Sequence, residues 1–224
     1  MKKFVFLLLS AVLFLTPFSV SAQNERQVIR EGSRESMKIA LTFDDGPHPY
    51  RTDDVLRLLE QYGIRATFFV IGENVSYYPE PFKRTVAAGH EIGNHTYHHK
   101  LLSETCEKTI EEEIRKTDDI IFRTAGYRPK IFRPPEGAYS DCALKAAKSI
   151  DYSVILWTVD TRDWEKPPVQ VIVDNVMKNV KGGSILLFHD YMHKNAQTLE
   201  ALEILIPKLL EKGYEFVTVS ELIA

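Results

Sequence analysis

Short apolar runs of β type alternate with amphipathic stretches through most of this chain, a rhythm that restricts it to a sheet built from strand–helix units. Seven runs stand out: Lys38–Phe43, Ala66–Ile71, His90–Gly93, Lys130–Phe132, Tyr152–Trp157, Ser184–Phe188 and Glu215–Thr218. The clearest show little polar alternation, as strands covered on both faces do, so a parallel sheet is expected. The connections carry helix signals. Thr52 can cap a helix with Asp53 and Asp54 in its first turn and Gly63 just past its end. Val169, Ile172, Val173 and Val176 share one helical face, as do Leu199, Leu202, Ile206 and Leu209. Seven strands with a polar cluster after nearly every one favour a closed barrel over an open doubly wound sheet.

The N-terminus has a different character. Lys2 and Lys3 precede an apolar run from Phe4 to Leu15, and Thr16 to Ala22 completes the three zones of a secretory signal peptide over residues 1–22. Retention as a membrane anchor is disfavoured, because Pro17 interrupts a run already shorter than the roughly 20 apolar residues of a spanning helix. The expected product is secreted, with no stable membrane insertion. Removing 22 of 224 residues leaves 202, enough for one domain with a substantial core: a polar lead over 23–36 and a catalytic domain over 37–224. Without Lys2 and Lys3 the formal charge moves from −3 to −5, which gives no sign of a nucleic-acid or anionic-lipid surface. Cys106 and Cys142 fall in register with apolar helix positions, so two buried, reduced thiols are favoured over a bridge.

Five polar clusters follow directly on predicted strands: Thr42 to Pro47, Asn94 to His99, Arg133 to Gly137, Asp160 to Trp164, and Leu187 to Asp190. In a parallel barrel all C-terminal strand ends open onto one mouth, so clusters far apart in sequence should converge there. In this order the five motifs resemble those of the polysaccharide deacetylases, the NodB-like carbohydrate esterases, over about Ile39 to Phe188. The resemblance implies a distorted (β/α) barrel of about seven parallel strands and hydrolysis of acetyl groups on glycans.

The chemistry of the residues can be read beside that resemblance. Adjacent carboxylates at Asp44 and Asp45 repel unless a cation or proton intervenes, although such a pair before Gly46-Pro47 also suits a plain turn. His95 and His99, four apart, complete a carboxylate–imidazole set of the kind that binds catalytic zinc, with cobalt or manganese also acceptable. His98 competes with His99 on spacing, and the family pattern selects His99. The resemblance makes Asp45 the metal ligand with His95 and His99, and Asp44 the general base. Arg133 can pair with Asp44 and tune it, held inward by Pro134-Pro135. By the same resemblance His189 is the general acid and Asp163 its partner, Leu187 and Trp164 form the slot for the acetyl methyl, and the residue after the two prolines, Glu136, offers its backbone N–H to the oxyanion. Glu136 departs from the aromatic residue many relatives carry there. His48 and His193 read as loop residues at the mouth. His90-Glu91 resembles the start of a zinc-protease motif, but Asn94 occupies the second histidine's place.

The leading expectation is an extracellular, cell-wall-associated N-deacetylase of peptidoglycan, working as a monomer. A chitooligosaccharide deacetylase or an O-acetyl-xylan esterase would use the same machinery. A catalytically silent glycan-binding barrel is the reading of a different class; the presence of base, ligands and acid–aspartate pair speaks against it.

Overall fold

A computed structural model describes residues 28–102, 105–191 and 197–224. The leader and His193 lie outside the described residues. All seven expected strands form: β2 (Lys38–Asp44), β3 (Thr67–Val70), β4 (Glu91–Asn94), β5 (Ile131–Phe132), β6 (Ser153–Ile155), β8 (Ile185–His189) and β9 (Glu215–Val217). Two short strands join them, β1 (Val28–Ile29) and β7 (Val159–Asp160). The order is β1-β6-β5-β4-β3-β2-β8-β7, with β9 also on β2, and every strand pairing is parallel. The sheet is curled into a half-barrel with helices packed outside, a distorted (β/α) barrel.

The sheet therefore reaches back into the segment read as a polar lead. Val28 and Ile29 pair with Val154 and Ile155, and Glu31 then bridges to Ser184 at the foot of β8. The chain so spans the gap between β6 and β8. A run of only two apolar residues is too short to show a period.

Helices α1 (Arg51–Gln61), α2 (Gly72–Tyr77), α3 (Pro79–Ala87), α4 (Glu107–Ala125), α5 (Asp141–Ser149), α6 (Val169–Asn179), α7 (Gln197–Glu211) and α8 (Val219–Ile223) fill the connections. The alternation of β2 assigns its faces. Ile39, Leu41 and Phe43 pack outward in a cluster with Leu59 of α1, Val173 of α6 and Leu202 of α7, while Ala40 packs inward with Ile155 and Ile185. The faces expected of α6 and α7 are the buried ones, with Ile172, Val173, Val176, Leu202, Ile206 and Leu209 inside.

Two local expectations are corrected. Thr52 lies within α1 and is buried; its hydroxyl accepts the His48 N–H at 2.8 Å and donates to Asp190 at 2.5 Å. The helix start is capped by the His48 ring, whose Nδ1 accepts the Arg51 N–H at 3.1 Å. Cys106 is exposed and Cys142 half-buried, and both are free. α4 begins after Cys106, so the register shared with Ile110 and Ile114 does not carry its thiol inward. No helix among the described residues is long and apolar enough to cross a membrane.

Candidate active site

The strand alternation that sends Phe43 outward sends Thr42 and Asp44 inward, both buried. The next side chain would normally point the other way. Asp45 instead has φ +76°, a left-handed bend that turns it onto the same mouth. Gly46 is required here by close approach, since a Cβ would lie 2.4 Å from both carboxylate oxygens of Asp190.

His95 follows β4 and is buried; His99 lies four residues further along the same connection to α4. His95 Nδ1–H donates to the Arg133 carbonyl at 2.7 Å, so Nε2, aimed at the carboxylates, is the nitrogen left to take a metal or a proton. Asp45 Oδ1 stands 3.5 Å from His95 Nε2 and 3.2 Å from His99 Nε2, buried and without a hydrogen-bond partner. The ligand atoms of Asp45, His95 and His99 all lie within 4.8 Å of one another. Burial opposes charge on His95, yet Asp44 and Asp45 raise its pKa above the usual value. Burial also opposes charge on Asp45, and its histidine neighbours still hold it down at about 2. Three acceptors thus converge with room for one positive charge among them, and a divalent cation fits that demand. His98 is the one turned away, its Nδ1 2.6 Å from Glu113 of α4.

Glu113 was not legible as functional. Its carboxylate also accepts the backbone N–H groups of Tyr97 and His98, at 3.1 and 2.9 Å. Asn94 ties the same loop to α4 through the Ile114 carbonyl at 2.8 Å. Thr96 and His99 are both left-handed, at φ +66° and +54°, a conformation that non-glycine residues hold only when the surroundings enforce it. These bonds to α4 supply that enforcement.

Arg133 is fully buried, its guanidinium 4.0 Å from the Phe69 ring centroid. Nη1 donates to Asp44 Oδ1 at 2.6 Å and to Thr42 at 2.9 Å, while Nε and Nη2 donate to the carbonyls of Ile155 and Leu156. One oxygen of Asp44 is thereby clamped; the other, Oδ2, is 3.7 Å from His95 Nε2 on the ligand side.

β8 repeats the logic of β2: Leu186 and Phe188 join the outer cluster, and Leu187 and His189 face the site. His189 Nδ1 lies 2.7 Å from Asp163 Oδ1. Asp163 Oδ2 accepts the His189 backbone N–H at 3.0 Å and the Thr198 hydroxyl at 2.7 Å. Burial alone would lower the pKa of His189, but the hydrogen bond and charge of Asp163 outweigh it and raise it to about 9.

A cavity of about 470 Å³ joins these groups, lined by Asp44, Asp45, His95, His99, Glu136 and His189, with Leu187 and Trp164 as apolar walls. Every residue assigned a role from sequence reaches this mouth or, as Arg133 and Asp163 do, bonds to a residue that does. Trp157 and Asp160 also line it. They sat at a predicted strand end and in a recognised cluster, and no residue-level signal separated them from packing. Glu136 is exposed and left-handed at φ +56°. Asp190, beside His189, is buried; burial pushes its pKa up to about 7, Thr52 bonds one oxygen, and the other has no hydrogen-bond partner.

The polysaccharide deacetylase family profile matches residues 31–155. A peptidoglycan-N-acetylglucosamine deacetylase of Bacillus cereus is 44% identical over 187 residues, covering 83% of this chain and 87% of that protein. The Bacillus subtilis peptidoglycan-N-acetylmuramic acid deacetylase PdaC is 43% identical over 184 residues, covering 82% of this chain but 38% of its own length. The crystal structure of the Bc1960 peptidoglycan N-acetylglucosamine deacetylase in complex with 4-naphthalen-1-yl-N-oxidanyl-benzamide superposes with a TM-score of 0.85 at 37% identity, over 88% of this chain and 92% of that one. A family 4 acetyl xylan esterase from Clostridium thermocellum in complex with a cobalt ion gives 0.77 at 36% identity, over 83% and 89%.

Proposed function

The chain belongs to the polysaccharide deacetylase family, and from that premise we propose that it is an exported, metal-dependent hydrolase that removes N-acetyl groups from amino sugars of peptidoglycan. The observation that carries the reading is the convergence of two separately tuned sets on one cavity: the Asp45–His95–His99 cluster, and the flanking pair of Asp44 and His189. The likeness to a peptidoglycan deacetylase over most of both chains favours that polymer. A chitooligosaccharide or acetylated xylan would meet the same machinery. Export rests on the leader read in the sequence.

Asp45, His95 and His99 would hold the metal; zinc suits the set, and the cobalt in the related esterase makes that ion a second choice. When bound, the cation supplies Lewis acidity toward the acetyl carbonyl and makes water a better nucleophile. Asp44, one oxygen fixed by Arg133, takes the proton from the attacking water with the other. The Glu136 N–H, at the rim, is the candidate donor to the developing oxyanion. His189, kept protonated by Asp163, delivers a proton to the departing amine nitrogen. Leu187 and Trp164 exclude water around the acetyl methyl.

The test is acetate release by the protein from Gln23 to Ala224, with and without chelator, on peptidoglycan, N-acetylglucosamine oligomers and acetylated xylan. Chelator-sensitive release from peptidoglycan is expected. Release from xylan alone would replace the substrate, and no release from a metal-loaded, folded protein would favour the silent binder.

A further inference from the structure

Outside the cavity, a connected patch of rings lies on the same mouth. His48 stands 6.1 Å from Tyr50, 6.5 Å from Tyr78 and 5.2 Å from Tyr191 between ring centroids, and Tyr77 lies 6.3 Å from Tyr78. Tyr50 and Tyr77 are 74% and 66% exposed, so the patch presents aromatic surface to solvent. Its placement follows from the elements that build the site. His48 and Tyr50 belong to the turn that leaves Asp45, and Tyr191 comes two residues after His189. Tyr77 and Tyr78 end α2, whose Asn74 donates to the Asp45 carbonyl at 2.7 Å. The patch therefore occupies the rim over β8, β2 and β3, whereas Glu136, Trp157 and Trp164 wall the cavity from the segments following β5, β6 and β7.

We infer that this patch is a subsite for the sugar rings that flank the reacting one in a glycan strand. The inference rests on the deacetylase reading above. A cavity of about 470 Å³ is of small-ligand size, while the substrate is a polymer whose neighbouring rings must cross the rim. Tyrosine suits that contact: it offers flat, amphipathic area with little conformational entropy to lose, and a hydroxyl for hydrogen bonding to sugar hydroxyls. The rings carry no full charge, which fits a neutral sugar backbone better than an ionic partner. Continuity with the cavity, through the Asp45 turn and the end of β8, selects the glycan over an unrelated protein.

The experiment compares kcat/KM on fragments of two and six sugar rings, cut from whichever polymer releases acetate, for the unmodified protein, Tyr50→Ala/Tyr77→Ala and Tyr50→Phe/Tyr77→Phe. In the alanine pair the six-ring to two-ring ratio should fall on the order of tenfold, through KM, and the phenylalanine pair should restore most of it. Both positions are exposed, so the unfolding midpoint should not move with the ratio. An unchanged ratio in the alanine pair overturns the subsite. So does an unchanged ratio accompanied by loss of self-association in a sedimentation run, which would assign the patch to a second copy. Absence of acetate release from every polymer by the unmodified protein is a separate result: it removes the deacetylase reading, and the subsite with it.

Discussion

Replacing Asp163 by Asn tests whether His189 is held as a proton donor. Asp163 is the main cause lifting the His189 pKa to about 9, against a burial effect that pulls it below 6.5. With pKa 9, roughly nine-tenths of the imidazole is protonated at pH 8; at the ordinary 6.5 about 3% would be, and with Asp163 neutralised burial pulls toward that lower value while Asp44 and Asp45 still oppose it. Asp163→Asn should therefore lower the rate at pH 8 on the order of tenfold from protonation alone, with the deficit narrowing as the pH falls. The same shift stabilises the fold. His189 is 14% exposed, so solvent screens little of the interaction, and the rise from 6.5 to about 9 is worth about 3 kcal/mol. Because the folded pKa is the higher one, that stability is complete below about pH 6.5 and is lost as pH rises through about 9. The assay is a pH profile of acetate release, with NMR titration of the imidazole and denaturant midpoints at pH 6 and 9.5. If the alkaline limb of Asp163→Asn coincides with that of the parent, His189 does not owe its proton to Asp163.

Asp44→Asn should abolish turnover while retaining metal, whereas His95→Ala and His99→Ala should lose both; acetate release beside metal content separates these, and a fully active Asp44→Asn would refute the base assignment. Arg133→Met strands a buried carboxylate and should cost about 3–5 kcal/mol in a denaturant melt, so a midpoint near that of the parent would show Asp44 to be protonated or resolvated. Glu113→Gln should weaken metal binding about 10- to 100-fold in a chelator competition while leaving the melt nearly unmoved. Equal affinity would mean that the loop holds its shape without that carboxylate.

The sequence by itself determined much of this protein. Apolar runs such as Ile185 to Phe188 are too short and too uniformly hydrophobic for anything but covered strands, and the polar cluster after each has one place to go in a parallel barrel. That suffices to bring Asp44, His95, Arg133 and His189 together at one mouth. It did not reach features that depend on a partner distant in the chain. Val28 and Ile29 carry no periodicity and become a strand only because β6 leaves an edge open beside them. Thr52 has the chemistry of a helix cap, but its hydroxyl is captured by Asp190, 138 residues away, while the His48 ring takes the helix N–H. Glu113 reads as one of several charges on an exposed helix face until α4 docks and turns it toward the Asn94–His99 loop. Asp44 and Asp45 converge through a single left-handed residue, a bend that local preference opposes and that the packing of Asp190 on Gly46 and the bond from Asn74 sustain. Pattern and spacing are local properties of the chain; long-range hydrogen bonds and enforced backbone conformations exist only once the sheet has curled and its helices have packed around it.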